Sequence, residues 1–286
     1  MLICLTDLMP SSDMMRKIVI TAVAAFMAAS VFAQPKVVAH RGFYVTGNSF
    51  ENTVSSLANA QKLGVYGVEF DVNLSSDDKV VILHGPNVHG TKINAQKSRF
   101  DEIRAVRLPG GHKVPTLEEW LRQGRKDPSC KLIMELKKHA TPERETLLVE
   151  KVLEEIKKQK MDLSQFEFIS FSIHAIKEVK RLAPEAFTCY VSSDQRAYSP
   201  KELHEMGIDA LSYGLNTLMN FPEMVDEANA LGMPTTLWMV EDCELIDWAY
   251  RHGVTYISTD FPDKAKAYID AVNSFKAKDK ATFVIR

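Results

Sequence analysis

The sequence has a small net charge and few cysteines, and each of these features excludes a class of protein. Lysine and arginine total 35 against 37 aspartates and glutamates, so the formal net charge is −2. Without an excess of positive charge there is no basic footprint for a nucleic acid, and we expect no nucleic-acid partner. The chain has only four cysteines. Because Cys130, Cys189 and Cys243 are too widely spaced for a disulfide framework, we expect them to be small buried residues or unreactive thiols.

A long apolar segment is also missing. The apolar run Ile18–Phe32 has about fifteen residues, whereas a membrane-spanning helix needs about twenty. The basic pair Arg16-Lys17 precedes this run and small residues end it at Ala33, which is the pattern of a secretory signal peptide over residues 1–33. A retained membrane anchor is the alternative interpretation. We expect cleavage before Gln34 and a secreted, periplasmic protein with no stable membrane anchor.

The chain shows no internal repeat, no low-complexity segment and no glycine-rich phosphate loop after its first predicted strand. Apolar β-branched runs alternate with amphipathic stretches instead, which predicts an α/β protein with a parallel sheet. Residues 34–286 would form a single domain, close to the ~250 residues of a TIM (β/α)8 barrel. An open doubly wound sheet is the alternative, and the missing phosphate loop counts against it.

Nine strands are predicted, one more than a closed eight-stranded barrel requires. They are Val37–Ala39, Val65–Leu74, Val80–Leu83, Leu132–Met134, Phe166–Phe171, Phe187–Val191, Ala210–Tyr213, Thr235–Val240 and Tyr256–Thr259. A short polar turn joins the second and third of these, so we interpret the third as the antiparallel arm of a β-hairpin. The segment 85–114 lacks a clear period and is predicted to be a loop insertion over one end of the barrel.

Three carboxylates on predicted strands point to a metal site. Glu69 and Asp71 are two residues apart, so their side chains share one face of the second strand. Two carboxylates on an inward face repel each other unless a cation lies between them. Glu135 ends another strand and can supply a third oxygen ligand, which suits Ca²⁺ or Mg²⁺. A solvated strand edge is the alternative, but Phe70 and its apolar neighbours alternate with the acids.

Two histidines at strand ends, with an arginine and a lysine, suit chemistry on a phosphate ester. His40 and His84 can each act as an acid or a base near neutral pH. Arg41 can hold a phosphate with two hydrogen bonds, and Lys137 can meet it as a point charge. The remaining histidines are expected in the insertion or at the surface. They are His89, His112, His139, His174, His204 and His252.

Glu51 stands at the predicted start of a helix, and two roles are open to it. An acid there can stabilise the helix N-terminus through the helix dipole. Alternatively, the carboxylate can hold Arg41 or His40 in position. A capping-box pattern at Thr116 and Glu119 predicts the start of the next helix.

As an ordered set, these pieces resemble the glycerophosphodiester phosphodiesterase family, whose fold is a TIM barrel. The resemblance covers Val37 to Pro262. It is carried by His40-Arg41-Gly42, Glu51-Asn52-Thr53, Gly67–Val72, Asp78–His84, Pro115–Glu119, Glu135-Leu136-Lys137, Ile169–Ser172, Trp238 and Ser258–Pro262.

The resemblance implies a role for each matching residue. His40 and His84 would be the acid/base pair, and Glu69, Asp71 and Glu135 would hold the Ca²⁺ or Mg²⁺ ion. Arg41 and Lys137 would bind phosphate, and Trp238 would line the pocket for the alcohol. The implied reaction is metal-dependent hydrolysis of glycerophosphodiesters, which are small-molecule substrates, to glycerol 3-phosphate and an alcohol.

Two positions depart from the family pattern. Phe50 stands where the family usually has proline, and Gly85 stands where aspartate usually follows the second histidine. At the second position, where Gly85 follows His84, the sequence resembles that of the sphingomyelinase D enzymes. A phospholipase D-like enzyme acting on sphingolipid or inositol phosphodiesters is therefore the alternative. A non-catalytic barrel that binds a phosphorylated ligand is a second alternative.

Overall fold

Eight parallel strands close into a barrel because the first strand pairs with both the second and the last. The computed structural model describes residues 33–194 and 197–283, so the predicted signal peptide lies outside the described residues except for Ala33. The strands are β1 Lys36–Ala39, β2 Gly67–Leu74, β3 Val80–Ile82, β4 Lys131–Leu136, β5 Phe166–Ser170, β6 Phe187–Ser192, β7 Ala210–Gly214, β8 Thr235–Trp238 and β9 Tyr256–Thr259. The predicted TIM barrel is confirmed.

The surplus strand is the arm of a hairpin, as predicted. β3 runs antiparallel to β2, with Val72 opposite Ile82 and Leu74 opposite Val80. Asp78 adopts a left-handed backbone conformation in the connecting turn, with φ at 62°. Because β3 pairs with the outer part of β2, it extends the sheet without entering the closed ring.

Helices follow the parallel strands and cover the barrel. They are α1 Val54–Leu63, α2 Phe100–Ala105, α3 Leu117–Gly124, α4 Pro142–Lys158, α5 Ile173–Leu182, α6 Pro200–Glu205, α7 Leu215–Asn220, α8 Glu223–Ala230, α9 Cys243–His252 and α10 Pro262–Phe283. The predicted capping box at α3 is present, since Thr116 accepts from the Glu119 amide and Glu119 accepts from the Thr116 amide. In the described part of the chain, no helix is long and apolar enough to cross a membrane.

The segment 85–114 is more ordered than a plain loop. It contains α2 and a short 3-10 helix at Pro109–Gly111. Buried side chains of this segment pack with the hairpin arm in a hydrophobic cluster of their own, formed by Val81, Leu83, Val88, Ala95, Ile103, Leu108 and Val114. The sequence shows no helical period here because α2 has only six residues and buries a single side chain, Ile103.

Side chains alternate between two cores along the strands. The outward side chains pack against the helices in the main hydrophobic core, and a smaller inward set includes Val38, Ile133 and Ile169. The three cysteines of the described region are free, with Cys130 and Cys189 buried and Cys243 exposed. The inward positions nearest the carboxyl ends of the strands are polar, and they form the site described next.

Candidate active site

Three carboxylates meet inside the carboxyl end of the barrel because of the register between β2 and β4. Asp71 pairs with Glu135 across these strands, and Glu69 lies one inward position below Asp71. All three side chains are buried, and one oxygen of each lies within 4.8 Å of the others. The structure thus brings together the three residues that the sequence assigned to a metal.

The electrostatics of this acidic cluster require positive charge. Burial raises the pKa of Glu69 well above its ordinary value, and the charges of Asp71 and Glu135 raise it further. Burial and Asp71 likewise raise the pKa of Glu135 to about 7. Burial opposes ionisation of Asp71 too, but Lys137, His84 and Arg41 together outweigh it and lower the pKa of Asp71 to about 2. Bringing such carboxylates together in a buried place is costly unless a cation joins them.

The carboxylates fit a hard divalent cation. Glu69 Oε1 is buried and has no hydrogen-bond partner within the described structure. Oxygen ligands from three acids at this spacing are the donors that Ca²⁺ and Mg²⁺ take. The Lys137 ammonium lies 2.7 Å from Asp71 Oδ1 and 2.6 Å from Glu135 Oε1, so it balances part of the negative charge. The cluster can therefore hold one divalent cation, and its geometry selects neither ion.

Arg41 is held by backbone geometry and by Glu51. Its backbone adopts φ 55°, and its amide donates to Glu69 Oε2 at 2.9 Å. Gly42 follows at φ 87°, where a Cβ would lie 2.3 Å from the Ser56 hydroxyl oxygen, so only glycine fits. The Arg41 guanidinium pairs with Glu51 at 2.7 Å.

The structure favours one of the two roles considered for Glu51. α1 begins at Val54 with Thr53 as its N-cap, and its first turn contains no acidic residue. Glu51 therefore lies before the helix, outside the first turn where the helix dipole acts most strongly, and this position counts against the helix-dipole role. The Thr53 side chain caps the helix instead, which leaves the Glu51 carboxylate directed to Arg41.

Asn52 supports Asp71 with two hydrogen bonds. Its amide nitrogen donates to Asp71 Oδ2 at 2.6 Å, and its oxygen accepts from the Asp71 amide at 3.1 Å. Asn52 is buried and adopts φ 55°, a conformation that asparagine tolerates better than most residues.

We expect Asn52→Ala to destabilise the protein, because it leaves buried groups of Asp71 without a partner. The expected loss in the free energy of unfolding is about 1–3 kcal/mol, measured by urea denaturation. Asn52→Gly is the matched variant, since glycine accepts the positive φ and separates lost hydrogen bonds from backbone strain. If Asn52→Ala unfolds at the wild-type urea concentration, this supporting role is wrong.

The two predicted histidines occupy different surroundings at the mouth of the barrel. His40 Nε2 lies 3.9 Å from Glu69 Oε2, and its Nδ1 lies 2.7 Å from Asp260 Oδ1. His84 is exposed, and within the described residues its ring has no hydrogen-bond partner. Although much of the His84 side chain is exposed, desolvation of its buried part lowers its pKa, and the positive charges of Lys137 and Arg41 lower the pKa further while Asp71 opposes them. Gly85 offers no side chain to support this ring.

An apolar wall faces the charged groups across the mouth. A cavity of about 180 Å³ opens between them and extends into the barrel. Trp238, the last residue of β8, lines it and meets the ring of Phe171 edge to face at 5.9 Å. Ile169, Val191 and Met239 complete this side. The cavity thus joins a charged half that can bind phosphate to an apolar half that can pack against an organic group.

Sequence reasoning misplaced one histidine and gave no role to Asp260. His139 was expected at the surface, yet it is buried, where Nε2 accepts from the Leu74 amide and Nδ1 contacts the Lys137 carbonyl. The flanking residues Lys138 and Thr141 are typical of a polar loop, so nothing in the local sequence indicated that His139 is buried. The sequence did contain a signal for Asp260. It directly follows the last strand as His40 directly follows the first, and this indicates that the two residues are neighbours in a closed barrel.

The sequence and the fold both match one family of known proteins. The pattern of the glycerophosphoryl diester phosphodiesterase family matches residues 40–264. A crystal structure of a glycerophosphodiester phosphodiesterase from Parabacteroides distasonis is 34% identical, with a TM-score of 0.79. That alignment covers 84% of this chain and 98% of the other.

Two more distant relatives agree. The Mycobacterium tuberculosis protein named probable glycerophosphodiester phosphodiesterase 1 is 26% identical over 263 residues, covering 82% of this chain and 93% of the relative. An Oleispira antarctica phosphodiesterase, solved in complex with the product sn-glycerol-3-phosphate, shares the fold at 24% identity and a TM-score of 0.73, over 83% of this chain and 97% of that one. The chain therefore belongs to the glycerophosphoryl diester phosphodiesterase family of hydrolases.

Proposed function

We propose that this protein hydrolyses glycerophosphodiesters to glycerol 3-phosphate and an alcohol, with a divalent cation and two histidines. The observation that carries the proposal is the convergence of Glu69, Asp71 and Glu135 with His40 and His84 at one end of the barrel. Active sites of TIM-barrel enzymes lie at this carboxyl end. Family membership supports the reaction class.

The proposed reaction begins with the substrate phosphate in the charged half of the cavity. Arg41 and Lys137 would bind its oxygens, since both line the cavity beside the acidic cluster. The glycerol hydroxyl next to the phosphate attacks phosphorus, one histidine takes its proton, and the other gives a proton to the departing alcohol. Water then opens the resulting cyclic diester to glycerol 3-phosphate.

The cation would be held by the three carboxylates. When bound, such an ion neutralises negative charge that develops on the phosphoryl oxygens. Glu69, with its unpartnered buried oxygen, and Asp71, fixed by Asn52, are the acids best prepared to receive it. Either Ca²⁺ or Mg²⁺ agrees with oxygen ligation.

A second candidate follows from the apolar wall. Trp238, Phe171 and Met239 offer an organic group a surface without charge, and Gly85 removes a side chain beside His84. These features favour a related phospholipase D-like enzyme whose substrate is a sphingolipid or inositol phosphodiester. A barrel that binds a phosphorylated ligand without turnover is less well supported, because both histidines line the cavity with the acids.

A substrate panel tests these functions against each other. Glycerophosphocholine, glycerophosphoinositol and sphingomyelin are offered to the purified protein, and the phosphorus-containing products are identified by ³¹P NMR. We expect turnover of the two glycerophosphodiesters, with glycerol 3-phosphate as their common product. Turnover of sphingomyelin alone would favour the second candidate, and ligand binding without any turnover would favour the non-catalytic barrel.

We also propose that residues 1–33 direct export and are removed. Gln34 lies two residues before β1, so cleavage there would leave every strand of the barrel intact. When the whole sequence is expressed in a Gram-negative host, we expect periplasmic protein whose intact mass begins at Gln34. Ala33→Asp is the matched control, because cleavage requires a small residue at this position. A mature mass that retains residues 1–33 would contradict the proposal.

A further inference from the structure

The barrel closure places Asp260 beside His40. β1 and β9 pair in parallel, with Ala39 opposite Thr259, so the next residue of each strand is a neighbour across the seam. The His40 amide continues this pairing by donating to the Thr259 carbonyl at 3.0 Å. The Thr259 hydroxyl oxygen accepts from the Phe261 amide at 3.0 Å and fixes the turn that carries Asp260.

Asp260 contacts the ring nitrogen of His40 that faces away from the acidic cluster. Its Oδ1 lies 2.7 Å from His40 Nδ1, and both side chains are largely shielded from solvent, at 25% and 19% exposure. The Tyr44 side chain lies beside the same carboxylate, where its hydroxyl can donate a second hydrogen bond. Although burial alone would raise the pKa of Asp260, the effects of His40, Tyr44 and the Arg41 charge together outweigh it and lower the pKa. An ionised carboxylate can only accept, so the proton of this contact belongs to His40 Nδ1.

We propose that Asp260, supported by Tyr44, is a positioning residue that holds neutral His40 in the Nδ1–H tautomer. His40 Nε2 then carries the lone pair, and this is the ring atom that lies toward the cavity, 3.9 Å from Glu69 Oε2. Proton exchange with the substrate would therefore pass through Nε2. The inference rests on the proposed function for its catalytic consequence, whereas the tautomer itself does not depend on turnover.

His84 lacks this arrangement, which makes the two histidines unequal. Within the part of the chain that the structure describes, no side chain fixes a tautomer of His84. A carboxylate paired with an imidazole orients the ring and stabilises the cation formed when the ring accepts a proton. Asp260 gives His40 this support, whereas His84 has none among the described residues. A purely structural ion pair would not need to direct the other ring nitrogen of His40 toward the cavity.

The test combines a spectroscopic readout with kinetics. Nitrogen chemical shifts of ¹⁵N-labelled histidine report the His40 tautomer at a pH where the ring is neutral, and need no substrate. We expect the Nδ1–H tautomer in the wild type and a shift toward Nε2–H in Asp260→Ala and Asp260→Asn. For turnover of glycerophosphocholine, we expect kcat to fall by about 10- to 100-fold, with KM changed by less than about threefold.

Two further variants keep the result interpretable. Tyr44→Phe should lower kcat by a smaller factor, since Asp260 keeps its contact with His40. Asp263→Asn is the matched control, because Asp263 lies three residues further, accepts from the Thr46 hydroxyl at 2.9 Å and should retain wild-type kcat. Asp260→Asn preserves the shape of the side chain if Asp260→Ala impairs folding.

The outcomes separate this inference from the proposed function. A folded Asp260→Asn protein with wild-type kcat and an unchanged His40 tautomer would overturn the positioning role. An Nδ1–H tautomer that depends on Asp260, in a protein without phosphodiesterase turnover, would overturn the proposed function while upholding the contact.

Discussion

Each of the substitutions His40→Ala and His84→Ala is expected to lower kcat for release of glycerol 3-phosphate by about 10²- to 10⁴-fold, the usual contribution of a general acid or base. Each ring lines the cavity beside the acidic cluster, and no other histidine does so among the described residues. The measurement is steady-state turnover of glycerophosphocholine with the product identified. KM should change less than kcat, because neither ring is proposed to bind the phosphate in the ground state.

His204→Ala is the matched control for both variants. His204 is an exposed residue of α6 and does not line the cavity, so its replacement should leave kcat at the wild-type value. The proposed chemistry also predicts that loss of both rings costs little more than loss of one, since the two act in one reaction. A folded His40→Ala protein with the wild-type rate would refute acid/base catalysis by this residue.

Glu69→Gln is expected to weaken the binding of Mg²⁺ or Ca²⁺ by at least about 100-fold, since it replaces a direct ligand rather than an outer support. Its buried Oε1 has no hydrogen-bond partner in the described structure, so it is the acidic oxygen most available to an ion. Isothermal titration of the EDTA-treated protein with each metal measures this affinity without reference to activity. Activity should fall in parallel with the binding.

Glu69→Gln is also expected to change the stability of the metal-free protein, and this change is a gain rather than a loss. In EDTA, Glu69→Gln should unfold at a higher urea concentration than the wild type, because it removes one of three mutually repelling buried carboxylates. Glu167→Gln is the matched control, since Glu167 is a buried glutamate of β5 outside the triad whose partner is Tyr66. Unchanged cation affinity in Glu69→Gln would show that Glu69 is not a ligand.

The parts of the fold that depend on local pattern were predictable from the sequence. The alternation of apolar β-branched runs with amphipathic stretches predicted eight parallel strands and the hairpin arm, because each run buries its own side chains. Glu69 and Asp71 could be placed together since the period of a strand is two. Their meeting with Glu135 required only that parallel strands end at one edge of the barrel.

Contacts between distant parts of the chain were harder to predict. Asp260 is 220 residues from His40, and only the closure of β1 onto β9 makes them neighbours. His139 is buried because its ring satisfies the Leu74 amide and the Lys137 carbonyl, which no local pattern signals. The two roles open to Glu51 could not be separated for a related reason, since a shift of a few residues decides whether an acid lies inside the first turn of a helix or before it.

The most direct test of the central claim is product analysis with and without the cation. The purified protein is treated with EDTA, given glycerophosphocholine, and followed by ³¹P NMR before and after addition of Mg²⁺ or Ca²⁺. We predict no glycerol 3-phosphate in EDTA and its appearance after metal is restored, with loss of this response in Glu69→Gln. Release of glycerol 3-phosphate at the same rate in EDTA, or its absence after both metals are added, would contradict the account.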